Sequence, residues 1–219
     1  MSVERFRLIV FDLDGTLIDS RRDLADAANA LLESCGGGPL SEEQIGRMVG
    51  DGAATLVARV FEASGLDQPA GALERYLAFY DQRLLNHTRP YAGMAEVLDA
   101  LGRRATLAVL TNKPLASTRR ILAGLDLARH FADGAVVGGD GPWPRKPDPA
   151  GLRHLGARAN VTGESTLLVG DSVIDWRTAR AALTPVCIAR YGFGYEGFSR
   201  QTVGPPDYLI DAPAELLTL

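Results

Sequence analysis

The stretch LIVFDLDGT, Leu8 to Thr16, decides how the rest of the chain is read. Four bulky apolar residues, Leu8 to Phe11, run without alternation and are closed by Asp-Leu-Asp-Gly-Thr. That is the pattern of a buried strand ending in a turn, and it puts Asp12 at the strand's C-terminal end. Asp12 and Asp14 are two apart, so they point to one side while Leu13 points to the other. Two carboxylates so placed repel and raise each other's pKa unless a cation lies between them. A lone Asp-x-Asp is more often a pair of turn carboxylates; what overturns that reading here is the rest of the chain.

Beyond Asp19 the spacing becomes helical up to about Thr88, as in Leu24, Ala27, Ala28, Leu31, Leu32 and in Leu73, Tyr76, Leu77, Tyr80, Leu84. After Pro90 strand and helix alternate. A helix runs from Met94 to Leu101, a strand from Thr106 to Leu110, and Pro114 opens a helix just after Thr111-Asn112-Lys113. Strand signals follow at 135–137, 166–170, 185–189 and 207–210, with a helix beginning near Pro149. Alternation of this kind predicts an α/β fold: a doubly wound parallel sheet, with ligands beyond the carboxyl ends of its strands. The helical block cannot join that sheet. The expected division is a Rossmann-like core, 1–19 and 89–219, carrying an inserted helical cap, 20–88.

Each motif falls at such a strand end. Asp171 and Asp175, in GDSVID, make a second acidic cluster after TLLVG. Gathering Asp12, Asp14 and Asp171 at one edge calls for a hard cation with oxygen ligands, and Mg2+ suits few carboxylates plus a phosphate. Thr111 can turn its hydroxyl and the following N–H groups toward an anion at a helix N-terminus, or serve simply as an N-cap. Lys146, in RKPDP, is a point cation tied to a loop. Lysine occurs only at 113 and 146, and the other 21 basic residues are arginine. Both lysines stand beside these motifs, where a compact ammonium fits better than a planar guanidinium.

FDLDGTLIDS, LTNK, RKPDP and GDSVID together resemble the four motifs of the haloacid dehalogenase superfamily, over nearly the whole chain. Within it, VGDGAATLV, YAGMAEVLDAL, GGDGPWPRKPDPAGL and YGFGYEGF with PDYLID are similar to phosphoglycolate phosphatases. The resemblance implies a Mg2+-dependent phosphatase with Asp12 as nucleophile and Asp14 as acid, then base. Thr111, Asn112 and Lys146 would hold the phosphoryl group, with Gly15 beside them. Asp12, the Asp14 carbonyl and Asp171 would bind Mg2+, and Asp175 would act as an outer-shell or water-bridged carboxylate. Gly52, with Gly50, would let the loop VGDGA approach a small carboxylate, helped by Arg47 or Arg59. The substrate the resemblance favours is 2-phosphoglycolate, with another small or sugar phosphate as the alternative; Leu183 stands where such enzymes usually have glycine, and Trp143 and Trp176 flank the motifs, which points toward a larger or more apolar ester.

Other classes fit less well. A dehalogenase would not need Asp14, and residues 20–88 contain no lysine for a Schiff-base phosphonate hydrolase or a phosphomutase. A binding module with a dead site is disfavoured because each expected catalytic position is filled. GFGYEG at 192–197 matches Gly-x-Gly-x-x-Gly but opens no helix, and it reads as a flexible loop. His87, His130 and His154 are isolated. The net charge of −4 offers no field for nucleic acid, and no stretch reaches membrane-spanning length. With only Cys35 and Cys187, a reducing cytoplasm fits best. The expected partner is a small-molecule phosphate ester, with the protein a monomer or homodimer.

Overall fold

The computed structural model describes residues 6–195 and 207–219. Its centre is β1 (Leu8–Phe11), buried at all four positions. On one side lie β4 (Thr106–Leu110) and β5 (Val136–Val137). On the other lie β6 (Thr166–Gly170), β7 (Val186–Ala189) and β8 (Tyr208–Ile210). The order β5-β4-β1-β6-β7-β8 is parallel throughout, with Phe11 opposite both Val109 and Val169. This is the doubly wound sheet that the sequence predicts.

Period-two alternation splits the strand residues between two layers. Ile9, Phe11, Leu107, Val109, Leu167 and Val169 share a cluster with α5 (Met94–Leu101) and α6 (Leu115–Gly124). Leu8, Val10, Ala108, Leu110, Leu168 and Val186 share the other with α7 (Ala150–Ala159) and α8 (Val173–Ala182). Covering both faces explains the unbroken apolar run of β1. Each Leu or Ile so buried contributes about 2 kcal/mol.

Four helices lie between β2 (Ile18–Asp19) and β3 (Arg89–Pro90): α1 (Arg21–Glu33), α2 (Glu42–Gly46), α3 (Ala53–Ser64) and α4 (Ala72–Asp81). The antiparallel pair β2–β3 escapes sequence reading because two residues carry no period. It brings Ile18 opposite Pro90 and Asp19 opposite Arg89, so the chain leaves and re-enters at one point. Asp23, fully buried on α1, fastens that point. Its carboxylate accepts the N–H groups of His87 (2.9 Å) and Thr88 (2.8 Å) and the Thr88 hydroxyl (2.7 Å). The apolar residues of α1 and α4 belong to the same cluster as one face of the sheet, so the helical block shares a core with it. No helix among the described residues is long and apolar enough to cross a membrane.

Leu183 ends α8 in the left-handed conformation at φ 58°, with 83% of its surface exposed. Burial therefore does not offset the steric cost of its Cβ, about 1 kcal/mol. Leu183→Gly is expected to stabilise the protein by roughly 0.5–1 kcal/mol, net of glycine's greater unfolded-state entropy. Urea denaturation measures it, and a loss of stability would contradict the strain argument.

Candidate active site

Strand β1 lies where the chain turns outward in both directions across the sheet, the place where parallel sheets open a crevice at their carboxyl ends. Asp12 follows β1, and its N–H donates to Val169 O at 2.8 Å, which locks it against β6. Thr111 follows β4 and Asp171 follows β6. Lys146 arrives from the loop after β5. All four side chains are buried.

Lys146 Nζ lies 2.8 Å from Asp12 Oδ1 and 2.6 Å from Asp175 Oδ1. The other Asp175 oxygen accepts the Ser172 N–H at 3.1 Å and its hydroxyl at 2.6 Å, a capping box that opens α8. Asp171 Oδ2 accepts the Gly194 N–H at 2.7 Å. Carboxylate oxygens of Asp12, Asp171 and Asp175 come within 4.8 Å of one another. Burial pushes the Asp12 carboxyl up to about 7, with Asp175 and Asp14 pushing the same way and Lys146 opposing them. Burial, Asp175 and Asp12 likewise hold Asp171 well above the usual carboxylate range. Burial works against the Lys146 ammonium, yet Asp12 and Asp175 keep its pKa raised. Crowded acids that resist ionising on their own, with oxygen as the only donor, fit a hard divalent cation.

The Asp14 side chain lies apart from that cluster. Lys113 Nζ sits 2.9 and 2.8 Å from its two oxygens, and the Ser20 hydroxyl donates to Oδ1 at 2.5 Å. Lys113 also lies over the Tyr80 ring, 4.6 Å from its centroid. The lysine skew pointed to residue 113, but only folding reveals Asp14 as its partner.

The Asn112 side chain is engaged within the protein. Its amide nitrogen donates to Lys146 O and Gly50 O, both at 2.9 Å, and its oxygen accepts the Lys146 N–H at 2.8 Å. Both amide protons are spent, so the side chain brackets Lys146 and leaves only the backbone N–H for a phosphoryl group. Thr111 is not the N-cap. Pro114 holds that position, the Thr111 hydroxyl accepts the Lys113 N–H at 3.2 Å, and the Leu115 N–H goes to Asp140 at 2.8 Å.

Asp12, Asp14, Gly50, Gly52, Thr111 and Lys113 line one cavity beneath the helical block. The two arginines expected to assist there are not among its lining residues. Arg59 is held by Asp51 at 2.6 Å and by Met48 O at 2.9 Å, and Arg47 pairs with Glu43 on its own helical turn. The tryptophans are not among the cavity's lining residues either. Trp143 stacks on His154, and Trp176 donates to Asp207 at 3.3 Å.

The loop read as flexible at 192–197 packs on the site as far as residue 195; Glu196 and Gly197 lie outside the described residues. Phe193 and Gly194 line the cavity, and the Tyr191 hydroxyl donates to Thr16 O at 3.0 Å. A Cβ at Gly192 would collide with the Gly15 carbonyl and the Asp171 side chain, and one at Gly15, where φ is 84°, with Asp171 itself. These glycines let backbone approach a carboxylate, not a dinucleotide. Gly192→Ala is expected to cost about 1–3 kcal/mol of stability and to lower turnover at least tenfold by displacing Asp171. Denaturation and steady-state rates check both, and wild-type values would refute the packing argument.

Comparison with known proteins agrees with this geometry. The family model for haloacid dehalogenase-like hydrolases matches residues 9–189. The phosphoglycolate phosphatase of Rhodospirillum rubrum is 43% identical over 87% of this chain and 82% of its own length. That of Chromobacterium violaceum is 37% identical over 100% and 98%. The crystal structure of a predicted phosphoglycolate phosphatase from Haemophilus somnus superposes with a TM-score of 0.89 at 30% identity, covering 97% of each chain. With its motifs at the strand ends of such a sheet, the chain is an enzyme and belongs to the haloacid dehalogenase-like hydrolase family.

Proposed function

We propose that the protein is a Mg2+-dependent phosphomonoesterase that works through a phosphorylated Asp12 and acts on 2-phosphoglycolate. The observation that carries this reading is the buried set in which Lys146 lies 2.8 Å from Asp12 and 2.6 Å from Asp175, with Asp171 close by. An Asp12 oxygen attacks phosphorus, the bond from phosphorus to the leaving oxygen breaks, and Asp14 gives that oxygen its proton. Asp14 then takes a proton from water, whose oxygen attacks phosphorus and releases Asp12 and inorganic phosphate. Splitting one displacement into two lowers each barrier.

Lys113 Nζ, 2.8 Å from Asp14 Oδ2, holds that carboxyl in one place for both proton transfers. Lys146 offsets charge on the transferring phosphoryl oxygens while keeping Asp12 in place, and Thr111 with the Asn112 backbone N–H would bind those oxygens. Asp12, Asp171 and the Asp14 carbonyl would hold Mg2+, with Asp175 in its outer shell, and the ion when bound supplies positive charge against the phosphoryl group. Residues 20–88 would act as a cap over a core of 1–19 and 89–219, closing through the Asn112 to Gly50 contact at 2.9 Å to exclude water. The substrate assignment draws on the relatives' names, and on a cavity wall in which the cap helices contribute apolar and tyrosine side chains.

Asp12→Asn is expected to bind substrate yet lose turnover by at least about 10⁴-fold, because an amide does not attack phosphorus. Acid-quenched protein should carry label from ³²P-substrate in the wild type and none in the variant; equal turnover in the two sinks the covalent route. Removing divalent ions with EDTA should abolish phosphate release, and Mg2+ should restore it together with a rise in Tm. Full activity after EDTA treatment rules against the metal.

A further inference from the structure

Six buried side-chain nitrogen or oxygen atoms among the described residues have no hydrogen-bond partner. Only two of them, the Tyr76 and Tyr80 hydroxyls, belong to residues lining the cavity that holds Asp12. The two tyrosines stand four apart on α4 and so share a face of the helix. Their rings lie parallel, 6.1 Å apart with an interplanar angle of 3°, and the residues are 2% and 3% exposed.

A phenol buried without a partner costs free energy that a phenylalanine of the same shape would not. Both residues also line the cavity that holds Asp12, so a ligand seated there is a candidate partner for two phenols that the protein leaves unpaired. Burial, reinforced for Tyr76 by Tyr80 and for Tyr80 by Asp14 and Asp23, pushes both phenols above their ordinary value, so each keeps its proton and remains a donor. Leu24, Val49, Leu56 and Leu77, which line the same cavity, are apolar. Lys113, against the Tyr80 ring face, is already engaged by Asp14.

We infer that Tyr76 and Tyr80 form the leaving-group subsite, donating their two hydroxyl protons to the two oxygens of a carboxylate carried by a small phosphate ester. This rests on the phosphatase reading above and moves its selectivity from the glycine loop at 50–52 to the face of α4. An ester with a wholly apolar leaving group leaves both donors buried and unpaired, which is how a polar site rejects an otherwise isosteric ligand. A matched pair of esters exposes this: 2-phosphoglycolate and propyl phosphate, similar in size but differing in the carboxylate.

The test compares kcat/KM for the two esters in the wild type and in a Tyr76→Phe/Tyr80→Phe double variant, together with the Tm of each protein without ligand. The wild type should prefer 2-phosphoglycolate, and the preference should fall about 30-fold in the variant, through KM more than kcat. The ligand-free variant should melt at the same temperature or higher, because no hydrogen bond within the protein is lost. A preference that survives in the variant overturns the subsite alone, as does a Tm lowered by several degrees. Wild-type enzyme that hydrolyses both esters equally overturns the substrate reading as well, and failure to hydrolyse either overturns the phosphatase reading itself.

Discussion

The Lys146 ammonium, held between Asp12 and Asp175 inside the protein, is the interaction around which the site is arranged. Removing one partner of a buried ion pair costs about 3–5 kcal/mol, because the other charge is left without water or counter-charge. The chain therefore fixes each member from a different direction. Asn112 brackets the Lys146 backbone at both N–H and C=O, and the capping box of α8 orients Asp175. Strand β6 takes the Asp12 N–H. These anchors sit on β6, on α8 and on the loop after β4, so the charges are brought together by the assembled sheet.

Charge balance divides the site into two compartments. Asp12, Asp171 and Asp175 face one another with Lys146 among them, and burial first, with the neighbouring acids adding to it, raises Asp12 and Asp171. Asp14, two residues from Asp12, is turned instead to Lys113 and Ser20. One short turn thus presents two carboxylates to two environments.

The helical block is not an appendage with a core of its own. Its apolar side chains run on into one face of the sheet, and its two ends are pinned together by β2–β3 and by Asp23. Both links lie at the chain's crossing point. The chain passes between the block and the sheet at residues around 19–23 and 87–90. At its far side the Asn112 to Gly50 hydrogen bond joins the block to the loop that brackets Lys146, so its position and that of the cation are mechanically connected.

What the sequence by itself determined follows from local periods and end signals. Four unbroken apolar residues dictate β1, alternation of strand with 3.6-period helix dictates the parallel sheet, and acids directly after apolar runs dictate that Asp12 and Asp171 lie at strand ends. Those are properties of neighbouring residues, and so they can be read along the chain. What only the tertiary structure decided is pairing across long separations: Lys113 with Asp14, Asn112 with Gly50 and Lys146, Gly192 against Asp171, and the free hydroxyls of Tyr76 and Tyr80. Tyr76 and Tyr80 show the limit most plainly, since their helical spacing with Leu73 and Leu77 is the same whether the face they share meets a core or a cavity. A side chain's rotamer, and the one neighbour that spends its hydrogen-bonding capacity, depend on packing between segments that the linear order does not bring together.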